Sequence, residues 1–576
     1  MKKRHITACL FLAPAIIIML IFMYIPIVQN FYYSLFNWSI YKPGKTFVGL
    51  KYFIELFQDK VFWTCLKNNT LYAVISLVGQ LGVGLVVAAI LEAKFMRKHS
   101  GFFRTVFFIP SVMSFMVVGL LWQLFFNPNV GPFNYILKTM GMNTANLNIL
   151  GNPGTAIFGV IFASQWMYFG YMAMLLIIGI QKVPDELYEA AEIDGANALQ
   201  RFWHITIPNI KEMILVDCII IVVGSFKLFD EVFVMTNGGP GYASEVISTY
   251  LYRTAFRADM MGSASAMAVV LFVITFALSI FQMKISRSGE VNRRKNMRKK
   301  NGRTITIKVL TYIFLILLTL FIIIPLVWMI ISGFKSNGDL FTNSFGLPKE
   351  WLFSNYILAW NVGIGRYLLN SVFVTFVSVA LTVIISALAA FALTNNGLYF
   401  KGRDAVFIFI LAGLMLAPQV SVVPLYKMLN KMHLYNTYWA MILPYTAFRI
   451  AFTVMLMRAY FLGLPASLDE AAYIDGCTSF GVFSKIIMPL CKPILASSAL
   501  MSAMYCWNEF MMAMIFTSND KIRTIPTGLM NLTGTLRTEW GTLIAGLAIS
   551  ALPIIIVFII FQKQFVRGIA AGSVKG

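Results

Sequence analysis

"EAAEIDGANALQRFWHITIP", residues 189–208, is an acidic, Gly-broken and Pro-ended segment set between stretches made almost wholly of Leu, Ile, Val, Met and Phe. The same pattern returns later in the chain: Glu470 minus Glu189, Gly476 minus Gly195 and Pro489 minus Pro208 all give 281. From 184 to 208, eleven of 25 positions match their partners at that offset, far above the roughly one in fifteen expected of unrelated sequence. The chain is therefore a duplication, and the segment is what both copies kept.

Around the two segments the composition is that of a polytopic membrane protein. The 576 residues are 59% hydrophobic and only 12% charged. Apolar runs of about 20 residues, long enough to cross a hydrocarbon core of roughly 30 Å, recur throughout. Twelve spans are predicted, near 8–34, 70–93, 105–126, 156–180, 212–235 and 264–283, then near 307–333, 371–394, 404–426, 437–460, 494–517 and 541–562. The opening "MKKRHITACLFLAPAIIIMLIFMYIPIV" is too long for the apolar part of a secretory signal and lacks a small-residue cleavage site, so it is expected to stay as the first span.

The net charge of +22 does not point to nucleic acid, because the basic residues cluster at the ends of apolar spans, where they set topology. Lys2, Lys3 and Arg4 put the N-terminus in the cytoplasm, and Lys94, Arg97, Lys98 and Arg104 put the loop between the second and third spans there. By count of spans, residues 184–211 are then cytoplasmic. Between the halves, residues 284–308 hold ten Lys or Arg against one acid, Glu290, which reads as a cytoplasmic linker, and Met297 resembles the start of a second polypeptide. The domain reading is a first unit over 1–288 (core about 69–284), a basic linker over 289–306 and a second unit over 307–576 (core about 369–563).

Within the repeated segment, Pro184 suits the first helical position, and Asp185 and Glu186 complement the positive end of the helix dipole. Leu187, Ala190, Ala191 and Ile193 fall on one face, Gly195 is placed to end the helix in a left-handed conformation, and a second short helix carrying Leu199, Phe202 and Ile205 is expected to run to Pro208. Asp185, Glu186, Glu189, Glu192 and Asp194 are five of the chain's 24 acids within ten positions. A solvated loop would explain acidity but not its repetition at a fixed offset; two similar surfaces offered to two similar partners explain both.

The pattern E-A-A, three residues, Gly, then a hydrophobic residue and Pro about a dozen positions on resembles the EAA loop of binding-protein-dependent ABC importer permeases. "FKLFDEVFVMTNGGP" (226–240) is similar to the first permease subunit of carbohydrate importers of the maltose and multiple-sugar type. "YCWNEFMMAMIF" (505–516), "TIPTGLMNL" (524–532) and "FVRGIAAGSVKG" (565–576) are similar to the second. The resemblance covers nearly the whole chain, with one departure: those subunits are usually separate polypeptides. It implies an all-α type I importer fold with two pseudo-symmetric six-helix transmembrane domains. Glu189, Ala190, Ala191, Asp194, Gly195 and Pro208, with Glu470, Ala471, Ala472, Asp475, Gly476 and Pro489, would then couple to two cytoplasmic ATPase subunits, each Glu facing a basic residue there.

No energy source is expected within the chain. "SIYKPGKTF" (39–47) contains Gly-Lys-Thr, but Ser39 stands where a phosphate loop needs Gly, and the stretch falls on the external side. ATP and Mg are therefore expected on the partner ATPases, with no cofactor held here. The six cysteines show no metal or disulfide spacing. An ion-coupled secondary transporter would bury acids in mid-membrane, for which Asp217, Asp230, Glu231 and Glu509 are the candidates. A membrane transferase would need clustered catalytic groups, yet His5, His99, His204 and His433 are scattered.

A sugar pathway needs aromatic faces together with hydrogen-bonding groups. Gln165, Trp166, Tyr168 and Tyr171 supply them on the fourth span, Phe226, Phe229 and Asp230 on the fifth, and Tyr505, Trp507 and Asn508 at the corresponding part of the second half. The external loops are too short for a sugar-binding domain, so an extracytoplasmic binding protein is expected. A phosphorylated ligand would want a basic group, and spans four to six of the first half offer only Lys227, Lys211 and Arg253, which favours a neutral sugar. The setting is the cytoplasmic membrane of a prokaryote, with both termini cytoplasmic.

Overall fold

The computed structural model describes residues 2–42, 44–142, 147–287, 304–536 and 539–572. The basic linker and Met297 therefore lie almost wholly outside the described residues. Nearly everything else is helix; a two-stranded antiparallel hairpin, Phe36–Asn37 with Thr46–Phe47, follows the first span.

Among the described residues, eight helices are long and apolar enough to cross a membrane, and three further pairs qualify when each is taken as one bent span, giving eleven. The fifth expected span of each half is corrected: near 494–517 the chain breaks into Lys492–Asn508 and Met511–Phe516, and near 212–235 into Lys211–Phe226 and Asp230–Met235. Sixteen residues at 1.5 Å each rise only about 24 Å, so this helix ends short of the far side of a bilayer. The third spans also break. Ser100–Val112 and Phe115–Phe125 meet at 94°, and Arg403–Met415 and Pro418–Lys431 at 97°. Both breaks come at extended residues near a proline: Met113 and Ser114 after Pro110, and Leu416 and Ala417 before Pro418.

Each half begins with a span that leaves its own bundle and lies on the other. Phe11 packs on Phe391 and Phe483 of the second half at ring separations of 5.6 and 5.7 Å, and Asn30 donates its amide to the Val420 carbonyl. In return Thr304–Ser332, the first span of the second half, receives the Trp166 indole N–H on the Phe321 carbonyl at 3.0 Å, and its Trp328 packs on Phe125. A reciprocal exchange of this kind ties the halves together by apolar burial and buried hydrogen bonds.

The duplication is also visible in buried amides. Asn68 Nδ2 donates to the carbonyls of Ala243 and Glu245, and Asn370 Nδ2 to those of Lys521 and Arg523, all at 2.9 Å. Next along the chain, Ile247 N–H donates to Asn69 and Ile525 N–H to Ser371. These clamps fasten the start of each second span to the segment after each fifth span. Their partners are offset by 302 at the amide and 278 at the carbonyl, so the shared 281 register holds only between them.

Candidate functional site

The repeated segments form two superimposable motifs. In the first, helix Asp185–Ile193 stops at Gly195 with φ +78°, Ala196 N–H bonds back to the Ala191 carbonyl at 2.8 Å, and Gly195 N–H to Glu192 at 3.1 Å. In the second, helix Ala466–Ile474 stops at Gly476 with φ +79°, Cys477 N–H bonds to Ala472 at 2.9 Å and Gly476 N–H to Tyr473 at 3.1 Å. This six-to-one and five-to-two pairing is the Schellman stop, and its left-handed residue favours glycine. Pro184 is the residue before the helix rather than its first position, which corrects the expectation, while Asp185 and Glu186 occupy the first turn as expected.

A second short helix follows each stop. Asn197 and Gln200 cap each other reciprocally, and Thr478 accepts from Gly481 N–H. Pro208 and Pro489 lie in the last helical turns, Ile207–Asn209 and Met488–Leu490, each two positions before the breaks at Ile210 and Cys491 that lead into the fifth spans. Each segment thus leads into a fifth span across a single non-helical residue.

Of the apolar face drawn from sequence, only Ala191 is buried; its counterpart Ala472 is buried too, and Ala190 and Ala471 are exposed. Ile193 and Ile474 are 84% and 85% exposed, and Leu199 and Phe480 are 66% and 63% exposed. Both pairs are related by 281. Two copies of the same apolar knobs, ringed by carboxylates, stand out of the molecule. The acids behave differently. Lys94 Nζ lies 3.3 Å from Glu189 and 3.8 Å from Glu192, Arg201 3.2 Å from Glu192, and Arg97 3.1 Å from Asp185. Glu470 has no ion pair among the described residues; instead Asp469 accepts from Asn395 at 2.7 Å, and the Tyr473 hydroxyl donates to Asn395 at 3.0 Å.

The pathway candidates meet where the broken third and fifth spans cross. Gln419, just past one third-span break, donates to the Lys227 carbonyl at 2.7 Å, and Asn508 donates to the Val112 carbonyl at the other break at 2.9 Å. Each half's fifth-span break is therefore held by the other half's third-span break. Phe229 and Phe510, again 281 apart, face one another with ring centres 6.5 Å apart, and Phe226 and Trp507 are buried beside them. Glu509 is well provided for, accepting from the Tyr445 hydroxyl at 2.8 Å and from the N–H groups of Met512 and Ala513. Tyr168, Tyr171, Asp230 and Tyr505 are half-buried around this centre.

Two of the expected pathway residues turn out otherwise. Trp166 does not line the centre: its buried indole needs an acceptor and takes the Phe321 carbonyl, with Trp122 edge-on at 5.7 Å, so it serves the packing between halves. Gln165 gives its amide N–H groups to Ser76 at 3.0 Å and to the Ile161 carbonyl of its own helix, and its buried Oε1 has no partner. Sequence reading missed Arg449, Tyr445 and Gln419. Arg449 stands 281 after Tyr168, so carrying the aromatic list across the repeat would have found it.

With this geometry in view, comparison with known proteins is direct. The chain belongs to the family described as binding-protein-dependent transport system inner membrane component, which matches twice, over residues 80–288 and 382–571. It is similar to two probable ABC transporter permeases of Bacillus subtilis (strain 168): YurN, 51% identical over 289 residues (50% of this chain, 99% of that one), and YurM, 52% identical over 265 residues (46% and 88%). The trehalose/maltose transport system permease MalF of Thermococcus litoralis is 31% identical over 278 residues (48% and 92%). The chain is a multi-pass membrane transport component in which two permease domains are continuous.

Proposed function

We propose that this chain forms the translocation pathway of an ATP-driven sugar importer, with two cytoplasmic ATPase subunits seated on the repeated segments and an external binding protein delivering the sugar. The observation that carries the reading is the pair of exposed knobs, Ile193 with Leu199 and Ile474 with Phe480, on helices with the same Schellman stop. Hydrophobic anchors ringed by charge suit a groove on a folded partner. Two such anchors ask for two similar partners, and the short connection to each fifth span gives a route by which their closing and opening moves the crossing at Phe229 and Phe510. ATP and Mg belong to those partners. The sugar reading draws on the similar trehalose/maltose permease and on the aromatic residues at the crossing.

Both termini lie on the ATPase side in this reading, as the basic flanks require. Single cysteines replacing Ile193 and Ile474 test it. They should crosslink to co-expressed ATPase subunits and stay unlabelled by a membrane-impermeant maleimide added to intact cells. Labelling from outside, with no crosslink, would overturn the coupling assignment and the topology together.

A further inference from the structure

Arg449 is an ionisable residue in mid-membrane. It lies eleven residues into helix Trp439–Phe461, about 15 Å along a helix of 23 residues, and so far from either end. Its guanidinium lies 4.9 Å from the centre of the Tyr505 ring and 4.8 Å from that of Phe452, and Tyr171 of the first half is among its polar neighbours. Among the described residues no carboxylate oxygen comes within 4.0 Å of it, and its buried Nε has no hydrogen-bond partner. The carboxylate of Glu509, four residues after Tyr505, is already taken by Tyr445 and two backbone N–H groups. A guanidinium carries five donors in a planar fork shaped for a carboxylate or phosphate, and an intramembrane charge faced only by aromatic rings, with no anion, remains costly.

Resting on the importer reading above, we propose that Arg449 is the recognition group for an anionic substituent on the transported sugar, held between Tyr171 of one half and Tyr505 of the other. The aromatic faces receive the ring of the sugar and the guanidinium its carboxylate or phosphate. Asp230 lies in the same electrostatic neighbourhood, around Tyr505, and has no ion pair of its own among the described residues. It would repel a ligand charged along its length, so the fitting substrate carries one anionic group and is otherwise neutral. This replaces the neutral sugar expected when the basic groups of the first half alone were considered.

Glucose and glucuronate differ only in a hydroxymethyl against a carboxylate and make the matched probes. Their weak binding to the full chain in nanodiscs, without binding protein, is read by saturation-transfer NMR titration. Glucuronate should bind more tightly than glucose, lose about tenfold or more in affinity in Arg449→Gln, as expected for a lost charge-assisted bond, and recover in part in Arg449→Lys, while glucose binding holds in all three. Equal binding of the two sugars, unchanged by Arg449→Gln, would overturn the proposal and leave the sugar reading standing. Binding of neither would overturn both.

Discussion

The two repeated segments share a backbone and differ in what holds it. The first is tethered to the loop between the second and third spans by exposed ion pairs, Lys94 with Glu189 and Glu192, and Arg97 with Asp185. The second is tethered to the equivalent loop by a half-buried chain, Asp469 to Asn395 to Tyr473, with Tyr473 within 3.3 Å of Ser479. The residues that line up make the exchange plain: Tyr188 stands where the second copy has Asp469, and Glu192 where it has Tyr473. Duplication preserved the stop and the outward knobs and left each copy free to find its own anchor. Among the described residues it also leaves Glu470 without an ion pair while Glu189 has one, so the two exposed surfaces are unequal.

The largest effect should come from breaking the buried anchor. Asn395→Ala leaves one Asp469 oxygen without its donor beside another that is already orphaned, at a cost of about 1–3 kcal/mol. Amide hydrogen exchange should rise through 466–474 and not through 185–193. Asp469 adds a pH dependence. Burial raises its carboxyl above the ordinary 3.8, against the Asn395 hydrogen bond that lowers it, and neighbouring Glu470 raises it further. A raised carboxyl holds its proton better folded than unfolded, so its contribution is most favourable below pH 3.8 and is lost as pH climbs to the raised value. Exchange in 466–474 should therefore quicken with pH across that window beyond the intrinsic rate, and Asp469→Asn should remove the excess.

Next in size is a change that should not discriminate between the copies. Valine at Gly195 or at Gly476 meets the same left-handed backbone, and at Gly476 an added Cβ would touch nothing within 4 Å, so the cost there is backbone strain alone, about 1–2 kcal/mol. Both variants should insert normally and weaken capture of the ATPase to a similar degree in pull-downs. A loss confined to one copy would show that the segments are not equivalent couplers.

What the sequence made legible follows from where the register holds. Between 184 and 208 both copies keep the same length, so the helix, the stop at Gly195 and the second helix could be read directly. The 281 offset still joins Tyr168 to Arg449 and Phe229 to Phe510, but further out the copies drift: the clamps at Asn68 and Asn370 are 302 apart, because the first half is longer between its second span and its repeated segment. No single offset exposes them. The break at 227–229 was hidden for another reason, since "SFKLFDEVF" continues a helical apolar pattern and the Lys227 carbonyl freed there is met by Gln419 from the other half, a contact no local pattern shows. Trp166 and Arg449 were misjudged together. Composition marks an aromatic as a sugar surface and leaves a lone arginine unremarked, while only packing shows that one is turned to Phe321 and the other to the centre.

The smallest effect tests the exposed anchor. Lys94, Glu189 and Glu192 are all more than half exposed, and such pairs contribute about 0.2–1 kcal/mol before screening. Lys94→Met should therefore raise exchange in 185–193 only slightly. Salt should do the same to the unmutated chain, because the screening length falls from about 10 Å at 0.1 M to about 3 Å at 1 M. In the variant the salt response of this segment should shrink toward that of 466–474, whose half-buried anchor joins a carboxylate to neutral donors rather than to a cation and screens little. An equal salt response in both segments of the unmutated chain would dissolve the contrast between the anchors. A smaller response after Lys94→Met, with the second segment unmoved, would locate it in this one ammonium group.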